Sequence, residues 1–155
     1  MTDYKLPKDI SNICLSYFDN DEKIYYEKKW DKFNKYSIFT TAVINGWFDL
    51  LIWARQNNYD YDFNTYACAY AALNNHLEIL KWLVQNGCPW DEKVVIWASY
   101  GGHLEILKWA LQNGCKWHEN ICYCALDKKH VDIIDWIKTQ KCLCACKYHK
   151  SMIKY

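Results

Sequence analysis

The chain has 155 residues, 52% of them hydrophobic and 24% charged, a balance that suits one packed domain and excludes wholesale disorder. The net charge of +1 selects no polyanionic partner, although residues 36–127 carry five basic against nine acidic side chains and residues 128–155 seven against two. The polar start at residues 1–8 and the shortness of every apolar run predict neither a secretory leader nor a membrane span. The nine cysteines therefore read as reduced thiols of a cytoplasmic compartment and not as a disulfide framework. Nine Trp and thirteen Tyr are an unusual load, and a surplus of such rings often ends at interfaces.

Residues 1–35 stand apart from the rest of the chain. Pro7 sits in the first turn of a predicted helix over residues 6–18, and Ile10, Ile13, Cys14, Tyr17 and Phe18 recur at three- and four-residue spacing. A second, charged and aromatic helix is expected over residues 22–33. One reading is a helical cap that covers the end of a stack. The other starts from Leu6-Pro7, Asp9-Ile10, Ile13 and Tyr17-Phe18, which resemble the first helix of an F-box. That resemblance implies a ubiquitin-ligase adaptor as partner, although the stretch from Phe18 to Trp30 is short for the family.

From residue 36 onward the chain repeats itself. His76-Leu77-Glu78-Ile79-Leu80-Lys81-Trp82 recurs unchanged as His103 to Trp109, and Gln85-Asn86-Gly87-Cys88 as Gln112-Asn113-Gly114-Cys115. Weaker copies put His130, Ile133, Ile134, Trp136 and Cys142 one period later, and Ala42 and Trp53 one period earlier. Four units are expected, at 36–62, 63–91, 92–118 and 119–145, followed by a basic tail at 146–155. Within a unit, Glu78, Lys81 and Gln85 line one narrow polar stripe of a helix, so the other sides need covering. The alanines of residues 66–73 permit close helix approach. Asn74-Asn75 and Gly101-Gly102 supply tight turns, and Gly87 and Gly114 supply left-handed caps. One such unit cannot bury its apolar face alone, so neighbours must stack, with Trp82, Trp109 and Trp136 expected as an internal aromatic ladder. On that expectation Trp109→Ala costs about 3–5 kcal/mol.

Ala71-Ala72, Asn75 to Lys81 and Asn86-Gly87-Cys88 resemble the second-helix signature of ankyrin repeats, and Gly102-His103 keeps it more closely. The resemblance implies an all-α solenoid of stacked helix–turn–helix units. These run 27 residues where ankyrin repeats run about 33. The opening Thr-Pro-Leu-His motif is absent, and the connection after Gly87-Cys88-Pro89-Trp90 is short for a projecting hairpin. The ending Gly-Cys-x-Trp resembles the ankyrin paralogues of giant DNA viruses, which implies a working place in host cytosol.

Catalysis is not expected. Cys142, Cys144, Cys146 and His149, with Cys122 and Cys124 nearby, hold enough thiolate and imidazole for zinc. Cys142, however, falls on the repeat position of Cys88 and Cys115, and Cys144 on that of Trp90 and Trp117, so packing explains them more simply. His76, His103 and His130 stand one period apart, too far to share a ligand, and are read as helix-start residues bonding neighbouring backbone. No glycine loop for phosphate and no unique cluster of thiolate, base and carboxylate occurs. No cofactor, nucleic acid or membrane is expected, and the protein is read as a monomer.

What remains is recognition of another protein. The positions that vary between units while packing positions repeat are Tyr36, Thr65, Glu92 and Glu119 at the opening of each first helix. Before each inter-helix turn they are Ile44-Asn45, Leu73-Asn74, Tyr100-Gly101 and Asp127-Lys128. By resemblance to ankyrins these face the partner across a concave surface, with Tyr36 and Tyr100 as anchors.

Overall fold

The computed structural model describes residues 38–58 and 63–140. The segment 1–37, including Tyr36 and the F-box-like stretch, and residues 141–155, including Cys142, Cys144, Cys146 and His149, lie outside the described residues. The described residues form eight helices and no strand. The chain divides into two compact units, Met1–Phe63 and Asn64–Tyr155.

In the first unit α1 (Ile38–Asn45) and α2 (Phe48–Gln56) form a helical hairpin. Its turn closes through a bond of 2.9 Å from the Trp47 N–H to the Ala42 carbonyl. Phe39, Ala42, Val43, Leu50, Leu51 and Ala54 are buried. The Phe63 ring meets Phe39 edge-on at 5.9 Å and carries the Arg55 guanidinium 4.2 Å above it.

The second unit holds three hairpins: α3 (Thr65–Leu73) with α4 (Leu77–Gln85), α5 (Lys93–Gly101) with α6 (Leu104–Gln112), and α7 (Asn120–Asp127) with α8 (Val131–Thr139). Asn64 starts α3 by accepting the Tyr66 N–H at 2.9 Å. The first helices pack on one another, α3 on α5 and α5 on α7. Small buried residues at those contacts (Ala67, Ala71, Ala72, Ala98, Ala125) allow the close approach that the alanine pattern predicts. The Ser99 hydroxyl, buried between α5 and α7, donates to the Ile121 carbonyl at 2.8 Å. Ile79, Leu80 and Leu83, then Ile106, Leu107 and Ala110, then Ile133 and Ile137 form the buried side of α4, α6 and α8.

Each inter-helix turn uses one left-handed residue at the same repeat position: Gly46, Asn75, Gly102 and Lys129. In the second unit the following histidine N–H then bonds back to a helix carbonyl: His76 to Ala71, His103 to Ala98 and His130 to Ala125, at 2.9, 2.9 and 3.0 Å. The histidine rings also bond backbone, as the sequence suggests, but 30 residues away. The His103 Nε2 lies 2.8 Å from the Leu73 carbonyl and the His130 Nε2 2.9 Å from that of Tyr100. Since a carbonyl only accepts, each Nε2 carries the proton. The imidazole thereby pins each hairpin to the end of the previous first helix. Thiols make a second tie: Cys88 donates to the Asn64 carbonyl and Cys115 to that of Asp91, both at 3.4 Å.

The expected tryptophan ladder takes a different form. Trp109 pairs with Trp90 of the preceding loop (5.8 Å between centroids) and Trp136 with Trp117 (6.3 Å), and all four rings are half-buried. The helix tryptophans border the polar stripe, so the apolar core beneath them belongs to Leu80, Leu107 and Ile133, and loop rings cover their outer sides.

Candidate functional site

The two broad faces of the second unit differ in chemistry. On the second helices, Lys81 pairs with Glu78 at 2.7 Å, Lys108 with Glu105 at 3.0 Å and Lys138 with Asp135 at 3.1 Å, all three residues apart. The first two pairs occupy the same repeat position and the third lies one turn further along its helix, and together they tile a solvated face. The first helices present rings instead. Tyr66, Tyr70 and Leu73 on α3, and Lys93, Trp97 and Tyr100 on α5, follow helical spacing along the side turned away from the second helices. Trp97 receives Tyr70 edge-on at 5.2 Å and Tyr66 at 6.4 Å. Tyr66, Tyr100 and Tyr123 are among the few large exposed hydrophobic residues.

Between α3, α5 and α7 lies a cleft of about 280 Å³ lined by Leu73, Ile96, Trp97, Tyr100 and Cys124. Its walls are almost wholly apolar, so water gains little there and an apolar side chain fits better. At its edge the Lys128 ammonium lies 4.5 Å from the Tyr100 ring centroid and 3.2 Å from the Asp127 carboxylate. Contact with the Tyr100 side chain, and after it with Asp127, holds the Lys128 ammonium above the ordinary lysine range. Lys93 is arranged alike: its ammonium meets Asp91 and lies 5.4 Å from the Tyr66 ring, and the bond to Asp91 raises its pKa. The acidic partner thus fixes each cation over a ring.

Leu73 and Tyr100, two of the sequence-selected residues, meet in this cleft, with Asp127 and Lys128 beside them. Glu92 and Glu119 stand exposed at the starts of α5 and α7. Thr65 opens α3 and is half-buried. The Asn74 amide donates to the Tyr70 carbonyl and the Asn45 amide to that of Thr41, both at 2.9 Å, so these amides close their own helices. Ile44 and Asn45 belong to the first unit. Sequence reasoning missed Tyr66, Tyr70, Ile96, Trp97, Tyr123 and Cys124. Tyr70, Ile96, Trp97, Tyr123 and Cys124 sit in mid-helix and Tyr66 in the first turn of α3 beside Thr65, inside the openings and turns that vary between units. The period from Tyr66 to Tyr70 to Leu73, laid over Lys93, Trp97 and Tyr100, carried the signal.

A family model described as ankyrin repeats, in three copies, matches residues 69–148, just over half of the chain. The chain belongs to the ankyrin-repeat family. No curated protein and no solved structure matches it. Ankyrin repeats are generic protein-interaction modules, and the two-faced chemistry of this array accords with that role.

Its hydrogen bond with Cys88, and then burial, pushes the Cys68 thiol far up, and burial does the same at Cys115 and Cys124. A thiol so shifted is a poor nucleophile and a poor metal ligand. Among the described residues, no three His, Cys, Asp or Glu side chains gather as a metal set. No described helix is long and apolar enough to cross a membrane.

Proposed function

We propose that this ankyrin-repeat protein is a non-catalytic recognition module that holds a protein partner on the face of its first helices. The single observation behind the reading is the contrast between an aromatic face with an apolar cleft and an opposite face tiled by ion pairs. Tyr100 and Trp97 are the anchors, with Leu73, Tyr66 and Tyr123 around them. Four units starting at residues 36, 63, 92 and 119, with Tyr36, Ile44 and Asn45 on the corresponding surface of the first, complete the proposed array. The resemblance to giant-virus paralogues and the reduced thiols support a monomer acting in host cytosol.

The test is site-specific photo-crosslinking in host-cell extract. Probes at Tyr100 and Tyr123 should form one discrete adduct, whereas probes at Lys108 and Lys138 should form none. Adducts from the lysine positions alone would sink the reading. A second reading rests on the F-box-like residues Leu6-Pro7 and Asp9-Ile10, and makes the repeats the substrate-choosing arm of a ubiquitin-ligase adaptor. Removal of residues 1–35 should then abolish co-purification of the ligase adaptor but not of the partner crosslinked at Tyr100.

A further inference from the structure

Charge on the first-helix face is not balanced. The first helices of the second unit, with two flanking residues at each end, carry four carboxylates, Asp91, Glu92, Glu119 and Asp127, against three ammonium groups, Lys93, Lys128 and Lys129. Lys93 is committed to Asp91 and Lys128 to Asp127, and Lys129 lies at the opposite end of α7 from Glu119. Glu92 and Glu119 are left over. They occupy the same repeat position, immediately before α5 and α7, and both are exposed. Their carboxylates form no ion pair or hydrogen bond among the described residues. Lys116 lines the same loop groove as Glu92 without reaching ion-pair distance of it.

The two carboxylates and the cleft are within reach of one bound segment. Four or five residues of helix separate Glu92 from Ile96 and Trp97, and Glu119 from Cys124, a distance of about 6–8 Å along the axis. Because α5 and α7 are packed neighbours, Glu92 and Glu119 stand side by side at about the 8–10 Å interaxial spacing of packed helices.

We infer, building on the recognition face proposed above, that the partner presents a basic and apolar peptide segment. One aliphatic or aromatic side chain fills the cleft against Trp97 and Tyr100, and a Lys or Arg about two to three extended residues away reaches Glu92 and Glu119. A polyanion does not suit this surface, since its phosphates would meet two uncompensated carboxylates. An acidic peptide would meet the same repulsion.

Random twelve-residue peptides displayed on phage and selected on the full chain would test this, with affinities of the enriched peptides measured by fluorescence anisotropy. The expected peptides carry an apolar residue with Lys or Arg close by. Glu92→Gln with Glu119→Gln should weaken them several-fold, and Glu92→Lys with Glu119→Lys by about tenfold. The Gln variant keeps the experiment readable if the Lys variant folds poorly. Peptides with no basic preference, unaffected by the Gln pair yet lost in Tyr100→Ser, would overturn the charge inference and leave the face standing. Peptides indifferent to Tyr100→Ser as well would overturn both. Sedimentation of the chain alone should give a monomer. A dimer dissolved by the Gln pair would mean that the basic segment comes from a second copy, against a separate partner.

Discussion

Two glycines with nearly the same backbone show how a single residue carries the repeat. Gly87 and Gly102 both have φ of +81°, which costs any L-residue about 1–2 kcal/mol. Their surroundings differ. A Cβ on Gly87 would meet nothing within 4 Å, whereas on Gly102 it would lie 2.6 Å from the His130 ring. That ring is held by the Tyr100 carbonyl and cannot withdraw without losing its bond. Gly87→Ala should therefore cost only the backbone strain of about 1–2 kcal/mol, and Gly102→Ala about 1–3 kcal/mol more, as overpacking does. Denaturant unfolding of the pair checks this, and equal losses would mean that the histidine moves freely. The sequence makes Gly101-Gly102 a turn signal. The next repeat's imidazole over Gly102 is not legible there, because it depends on a contact 28 residues away.

At the scale of the element, the revised place of tryptophan changes an expected energy. A fully buried aromatic site would cost about 3–5 kcal/mol on truncation, but Trp109 is half-buried and its covering neighbour is another half-buried ring, Trp90. Trp109→Ala should cost about 2 kcal/mol, and Leu107→Ala, fully buried on the same helix, the larger share of the range of about 2–5 kcal/mol. Chemical denaturation of both variants orders them, and a greater loss at Trp109 would restore the ladder. Here the sequence yields helix, period and buried side correctly, since Ile106, Leu107 and Ala110 follow helical spacing. It could not assign the tryptophan, because position 109 borders both the core and the polar stripe, and only the loop of the neighbouring hairpin decides which. The proposed recognition face is half legible for a similar reason. Leu73 and Tyr100 lie beside turns that the repeat marks as variable, while Ile96 and Trp97 lie inside a helix whose outward side becomes visible only once α3 and α7 flank it.

Over the whole molecule the thiols give the array a pH response. In the folded chain Cys68, Cys115 and Cys124 all titrate above the ordinary value of 9.0, Cys68 through its bond with Cys88 and its burial, the other two chiefly through burial. The protonated thiol is the form the fold accepts, and the unfolded chain is free to ionise. Below pH 9 both states hold the proton and stability is unaffected. Above it the unfolded state loses protons that the folded state keeps, so stability falls as pH rises. For fully buried Cys68 the loss approaches about 1.4 kcal/mol per pH unit, and it is smaller for half-buried Cys115. Urea unfolding at about pH 7.5, 9 and 10.5 should show a plateau followed by a decline. Tyrosine and lysine titrate in the same range, so the informative comparison is Cys68→Ala, which removes the ionisation at little volume cost. Its curve should start lower and decline less steeply than that of the unmodified chain. Parallel declines would mean that Cys68 opens to solvent well below global unfolding, and that the hydrogen bond to Cys88 does not hold the α3 hairpin shut.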